Sequence, residues 1–267
     1  MIVDFALIGH GAIAKYVLKN LRRDEDARCA AIVVRKARVA ETQKAVGDAV
    51  TVVGSVAELG FHVPPLVVEA AGHGGLAEHG AAVLEAGSDL VVVSVGALAD
   101  RALHAKLAAA AEKGKAKMLI LAGAIGGVDA LAAARQGGLT RVRYTSRKPP
   151  KAWKGTPAEK IADLSKLTAE KVLYAGRADE AARSYPQNAN VCATVALAGA
   201  GWDKTEVTLV ADPAAEGNVH QIEAEGAFGR MSVEMRGKPL PDNPKTSSLA
   251  ALSVLRAIRN RASAVEI

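Results

Sequence analysis

The residues of this 267-residue chain that could do chemistry are sought first in one glycine turn, one arginine and six histidines. The turn is Ile8-Gly9-His10-Gly11-Ala12-Ile13-Ala14, a Gly-x-Gly-x-x-Ala pattern. Residues of these types at this spacing can cradle a pyrophosphate. The first glycine makes the tight turn, the second lets the backbone approach the phosphates, and the small third residue lets a helix lie against a strand. Gly9, Gly11, Ala12 and Ile13 are therefore the expected dinucleotide contacts, at the positive end of the helix that follows. About 20 residues further on, such folds place an acid for the ribose 2′-hydroxyl. Here the chain reads Val33-Val34-Arg35-Lys36. Arg35 can instead pair with a 2′-phosphate, so NADP is expected to be accepted alongside NAD; the alternative is an exposed residue at a helix start.

Among the histidines, His10 sits inside the turn, His62 precedes Pro64-Pro65, and His79 and His104 fall on Ala-rich segments. These four read as structural or exposed. His73 follows Glu69-Ala70-Ala71-Gly72 at a strand end and is divided between an approach to the cofactor and a helix start. His220 closes Asp212-Pro213-Ala214-Ala215-Glu216-Gly217-Asn218-Val219-His220, a turn-to-strand junction. It is divided between a satisfied structural histidine and an acid/base.

The elements that must position these groups alternate at first between strand and helix. Apolar runs at 2–7, 28–34, 50–53, 66–71, 89–95 and 117–121 are separated by segments of helical period at 12–21, 37–46, 75–85 and 99–113. Continuous β-branched runs such as Asp89 to Val95 are those of parallel strands buried on both faces. The pattern predicts a Rossmann-type doubly wound parallel sheet over 1–123. Small residues close successive strands, at Ser94-Val95-Gly96-Ala97 and Ala122-Gly123-Ala124-Ile125-Gly126-Gly127. Ligands lie along that carboxyl edge, which adds Ser94 to the cofactor set.

Beyond Gly127 the pattern changes. Strands are predicted at 139–146, 206–211, 219–225 and 228–235, with a helix at 190–200 and short helical pieces at 156–161 and 168–172. Strands in hairpin succession predict an α+β second domain, 124–242, with an antiparallel sheet. The stretch 243–261 is predicted as one long helix, in a tail 243–267 that could pack back on the first domain. A dinucleotide domain joined to such a second domain is the layout of many dehydrogenases.

Composition narrows the class. Half the residues are apolar and only 3% are aromatic, which argues against stacking platforms for single-stranded nucleic acid. The net charge is +6, yet 141–177 carries ten basic residues against Glu159, Asp163 and Glu170 alone. That excess reads as a solvated basic face or as attraction for an anionic small molecule; no nucleic-acid motif accompanies it. Cys29 and Cys192 have no CxxC partner and read as reduced core thiols of a cytoplasmic protein, with neither disulfide nor metal site. No apolar run approaches 18 residues, and the first residues lead straight into a strand, so neither a membrane span nor a leader is expected.

Five segments taken in order resemble one family. They are Asn188-Ala189-Asn190-Val191 opening an Ala-rich helix, Ala211-Asp212-Pro213, Asn218-Val219-His220-Gln221-Ile222, Glu225-Gly226-Ala227-Phe228-Gly229, and Pro241-Asp242-Asn243-Pro244-Lys245-Thr246-Ser247. The chain is similar in these to L-aspartate dehydrogenase. The resemblance implies oxidative deamination of L-aspartate with NAD or NADP, through iminoaspartate to oxaloacetate and ammonia, with the imine able to feed NAD biosynthesis. It also implies His220 as the active-site histidine, and Ala124, through its backbone N–H, and Asn190 as cofactor contacts. A homodimer is expected with it. A substrate with two carboxylates needs cationic or N–H donors; Lys245 and Thr246, predicted just inside the last helix, are the candidates, a helix-capping role being the alternative. The rivals are a two-domain dehydrogenase or reductase of the homoserine or dihydrodipicolinate type, and an NAD(P)-binding sensor without catalysis.

Overall fold

Alternating apolar runs and Ala-rich segments build the first part of the chain. In order these are β1 (Val3–Ile8), α1 (Ala12–Leu21), β2 (Ala27–Val33), α2 (Val39–Val46), β3 (Thr51–Val53), β4 (Leu66–Glu69), α3 (His73–Glu85), β5 (Asp89–Val92), α4 (Arg101–Gly114) and β6 (Met118–Ile120). The computed structural model describes residues 2–21, 26–186 and 189–266, with the backbone alone at 244 and 245. It divides into two compact units, 1–123 with 250–267, and 124–249.

In the first unit all six strands pair in parallel, in the order β3-β2-β1-β4-β5-β6. The chain leaves β1 in one direction along the sheet and returns to β4 on its other side. That reversal opens a crevice outside the carboxyl ends of β1 and β4, where doubly wound folds bind ligands. β5 stops short of its predicted end because Val95–Ala99 coil into a 3₁₀ turn. Asp100 then caps α4, its carboxylate accepting from the N–H groups of Ala102 and Leu103 at 2.9 and 3.2 Å.

The second unit contains α5 (Val128–Gln136), β7 (Leu139–Lys148), β8 (Lys171–Arg177), α6 (Ala178–Ser184), α7 (Ala189–Ala198), β9 (Thr205–Ala211), β10 (Asn218–Gly226), β11 (Gly229–Gly237), β12 (Pro239–Leu240) and β13 (Asn243–Ser247). Its five-stranded sheet runs β11-β10-β7-β9-β8. The sheet is mixed rather than purely antiparallel, because β7 pairs β9 in parallel while the other neighbours are antiparallel. Within this sheet, among the described residues, only β10 and β11 form a simple hairpin. The predicted helical piece at 168–172 is instead the approach to β8, where pairing with β9 overrides a weak local preference.

The last predicted helix is corrected more substantially. Residues 243–247 form strand β13 paired with β12, and α8 (Ser248–Ala262) begins only afterwards. Pro244 disfavours the helical conformation for the residue before it, and Thr246 is β-branched, so the helix is held off until Ser248. Lys245 and Thr246 therefore lie on a strand, not in the first turn of a helix. Val254, Leu255 and Ile258 of α8 share an apolar cluster with Phe5, Leu7, Ile32 and Val68 of the first unit.

Strict alternation along β7 separates two faces. Val142, Tyr144 and Ser146 are buried, on the side of the core that holds Trp153, Cys192, Val207, Leu209 and Ile222. Arg141, Arg143 and Arg147 point the other way and meet acids brought from distant strands. Arg141 reaches Glu206 at 3.1 Å, Arg143 reaches Glu223 at 3.0 Å, and Arg147 pairs with Glu170 and, at 3.4 Å, with Asp212. The basic excess of 141–177 is thus partly neutralised at these arginines, by Glu206, Glu223 and Asp212 from outside the run and by Glu170 from within it. Among the described residues no helix is long and apolar enough to cross a membrane.

Candidate active site

The glycine turn sits between β1 and α1 as its spacing requires. Gly9 has φ +97°, and a Cβ there would stand 2.8 Å from the Ala70 carbonyl oxygen, so both the backbone and the space demand glycine. A Cβ at Gly11 would meet nothing within 4 Å, which leaves its backbone open to an approaching group. Ala14 is fully buried in the first core, and Ala12 and Ile13 open α1. Gly9, Gly11 and Arg35 line one cavity of about 480 Å³, together with His10, Arg38 and His79. Its size lies within the range of small-ligand sites. The first unit therefore fits the phosphate and ribose end of a dinucleotide.

Arg35 is exposed and stands immediately before the 3₁₀ turn Lys36–Arg38. Arg38, a cavity-lining cation not singled out from the sequence, is steered by Glu41 at 3.2 Å. The i, i+3 spacing of the two arginines was its signal. His10 is held below the ordinary histidine range, first by burial and then by the charges of Lys15 and Arg38, so it adds no positive charge to the turn at neutral pH. His73 is the first residue of α3, His79 is buried and lines the cavity, and His62 is exposed.

At the adjacent strand ends a buried glutamate organises the backbone. Glu69 is 0% exposed at the end of β4. Its Oε1 accepts from the N–H of Ala71 at 2.8 Å, the N–H of Gly72 at 2.9 Å and the hydroxyl of Ser94 at 2.9 Å; Oε2 accepts from the N–H of Ser94 at 2.9 Å. Burial raises its pKa and these hydrogen bonds oppose the rise. The Ser94 side chain is thus engaged with Glu69. The clamp was missed because a single acid ending an apolar strand does not reveal which loop it will hold.

In the second unit His220 lies on β10, 4% exposed. Its Nδ1 is 2.8 Å from the Tyr144 hydroxyl, and the two rings stack with centroids 6.0 Å apart at 16°. Burial, and secondarily the charge of Lys148, push the imidazole down to about 3, so it is neutral across the neutral range. Burial also raises the Tyr144 phenol, which stays protonated. In the tautomer whose Nδ1–H donates to the Tyr144 oxygen, the lone pair of Nε2 is left to take a proton; in the other, the Tyr144 hydroxyl donates to Nδ1 and Nε2 carries the hydrogen. The first of these arrangements is the one a general base would need. Sequence reasoning found the histidine but not the tyrosine, which lies 76 residues away in the chain.

Known proteins resemble the chain over its whole length. The family described as "Aspartate dehydrogenase, C-terminal" matches residues 129–261, and "Homoserine dehydrogenase, NAD binding domain" matches residues 9–121. An L-aspartate dehydrogenase of Cupriavidus necator is 49% identical, with 98% of each chain covered. The chain belongs to the L-aspartate dehydrogenase family. Another member, from Pseudomonas aeruginosa, is 46% identical over 99% of this chain and 100% of its own. The crystal structure of aspartate dehydrogenase from Thermotoga maritima matches with a TM-score of 0.79 at 25% identity, covering all of both chains. As a member of this family the chain is an oxidoreductase that uses NAD or NADP.

The remaining family-matched positions are distributed as follows. Ala124 is half-buried in the turn after β6, next to Gly123 with φ +64°. Asn190 is exposed in the first turn of α7; its carbonyl accepts from the Thr194 hydroxyl at 3.1 Å. Asn188 of the same segment lies outside the described residues, as does the side chain of Lys245. Thr246 Oγ1 accepts from the Asn243 side-chain amide at 3.1 Å on β13. Cys29 and Cys192 are free thiols, both raised by burial to about 12 and so unreactive as thiolates.

Proposed function

We propose that the protein catalyses oxidative deamination of L-aspartate to iminoaspartate, which is then hydrolysed to oxaloacetate and ammonia. The observation that carries this reading is the buried, neutral His220 oriented by Tyr144 at 2.8 Å, in a chain 49% identical to an L-aspartate dehydrogenase. When bound, NAD or NADP supplies the hydride acceptor. Gly9, Gly11, Ala12 and Ile13 hold its pyrophosphate, the Ala124 N–H and Asn190 contact it, and Ser94 acts from its place on Glu69. Arg35, with Arg38 beside it in the same cavity, pairs with a 2′-phosphate, so NADP is accepted alongside NAD.

His220 acts on the hydrolytic half. Its Nε2 takes a proton from the water that adds to the imine carbon, then returns a proton to the amine nitrogen as the C–N bond breaks. An imidazole titrating near 3 is a weak acid/base at neutral pH, but a bound dianion beside it favours the protonated form and raises its pKa toward the working range. Lys245 and Thr246 are the proposed donors to the substrate carboxylates. The imine is also available to a following enzyme of NAD biosynthesis. A homodimer in the cytoplasm completes the reading, in keeping with two free thiols.

The experiment is nicotinamide reduction with L-aspartate, and the reverse with oxaloacetate plus ammonium, beside homoserine and dihydrodipicolinate as competing substrates. Turnover confined to L-aspartate is expected with both cofactors. No turnover with either cofactor from neutral to alkaline pH would overturn the activity. His220→Ala should retain NADH binding, read by fluorescence, and lose most turnover; an unimpaired variant removes His220 from the mechanism.

A further inference from the structure

The basic residues of β7 are sorted by strand parity. Arg141, Arg143 and Arg147 occupy the outer face, in ion pairs with Glu206, Glu223, Glu170 and Asp212. Lys148, the last residue of the strand, has the opposite parity and shares the face of Tyr144 and Ser146. Ser146 is the direct antiparallel partner of His220, so Lys148 is the diagonal neighbour of His220 on one face of the sheet. Among the described residues it is the one basic side chain of β7 on that face.

Two further features fix where its charge lies. The amine sits 5.4 Å from the centroid of the Trp153 ring, and Trp153 is fully buried, so the aromatic face steadies the ammonium from one side. Its backbone is pinned as well, by the parallel pairing of Lys148 with Ala211 and by the Asp212 N–H donating to the Lys148 carbonyl at 2.9 Å.

We propose that Lys148 is the specificity-determining cation that receives one carboxylate of the dicarboxylate substrate beside His220. The inference rests on the L-aspartate reading above. The chemistry suits the place: a cation held on an aromatic face beside a neutral imidazole is matched by a carboxylate, and a partly desolvated charge pair is stronger than one in water. The burial that lowers the amine to about 8 leaves it mostly protonated at neutral pH. The same charge is the second cause that depresses His220, so a carboxylate docked on Lys148 relieves His220 and couples substrate binding to its proton transfer.

The test uses the full chain with Lys148→Met, and Lys148→Gln as a second uncharged variant should the first not fold. Inhibition constants for succinate and butyrate against L-aspartate are compared, since butyrate replaces one carboxylate of succinate by a methyl group. In the wild type succinate should bind about 10- to 100-fold tighter, as for one charge-assisted hydrogen bond. In the uncharged variants that ratio should collapse to within about threefold and the KM for L-aspartate should rise by a similar 10- to 100-fold. NADH affinity should stay unchanged, and Lys148→Arg should restore part of the ratio. A folded uncharged variant that keeps the wild-type ratio and KM overturns the role of Lys148 alone. A wild type that never turns over L-aspartate overturns the functional reading and this inference with it.

Discussion

Replacing Tyr144 by Phe isolates the contact that orients the base. The ring, 1% exposed, stays in the core, so packing is preserved and only the hydroxyl is removed. What is lost is the 2.8 Å hydrogen bond to His220 Nδ1, and His220 itself is 4% exposed, so water does not readily replace the partner. An orphaned buried polar group costs about 1–3 kcal/mol. If that energy also holds the tautomer with Nε2 free in the transition state, kcat falls by about 5- to 150-fold. The assay is steady-state nicotinamide reduction at saturating L-aspartate, with NADH affinity by fluorescence and unfolding by urea as controls. The cofactor affinity should be unchanged, because neither Tyr144 nor His220 is among the proposed cofactor contacts, and the substitution leaves the buried ring in place. A folded Tyr144→Phe protein with kcat within twofold of wild type would show that His220 needs no such orientation, and the reasoning from the 2.8 Å contact would fail.

Three more perturbations test separate parts of the site. Glu69→Gln leaves four donors facing an amide that has one acceptor oxygen, so at least one N–H or O–H must confront the new NH₂ group. It should cost about 2–4 kcal/mol in urea unfolding and weaken NADH binding; a variant as stable as wild type refutes the clamp. Gly9→Ala forces a Cβ to 2.8 Å from a backbone carbonyl at φ +97°, and NADH affinity measured by fluorescence should drop at least tenfold. His220 is neutral when folded, near 3, but takes a proton near 6.5 when unfolded, so the unfolded state binds more protons between those values and stability falls as pH falls through that window. Between pH 6.5 and 5 this amounts to about 1–2 kcal/mol, because the unfolded imidazole is only half protonated at pH 6.5 and the full slope of roughly 1.4 kcal/mol per unit is reached only below it. Urea unfolding at both pH values should show wild type losing that much more than His220→Gln, and parallel losses would remove His220 as the cause.

What was legible in the sequence follows from the range over which each constraint acts. Gly9, Gly11 and Ala14 are legible because the positive-φ turn at Gly9, the open space at Gly11 and the burial of Ala14 are all set within one short segment. The parallel sheet was legible too, since burial on both faces writes itself into runs such as Leu66-Val67-Val68. The final segment misled because Ala, Leu and Ser at helical spacing after 248 masked the strand that Pro244 and Thr246 enforce just before it. Tyr144 and Lys148 were hidden for a different reason. Each is an ordinary strand residue until β10 is laid antiparallel on β7, and only the register His220 to Ser146 decides that residues 144 and 148, rather than 145 and 147, share the histidine's face. A one-residue slip would exchange them for Thr145 and Arg147. The proposed nucleotide contacts of the first unit are therefore set by a short contiguous segment, whereas the proposed proton-handling pair of the second is set by strand register. The substitutions that most sharply test function accordingly lie at positions 144 and 148, which carry no motif of their own.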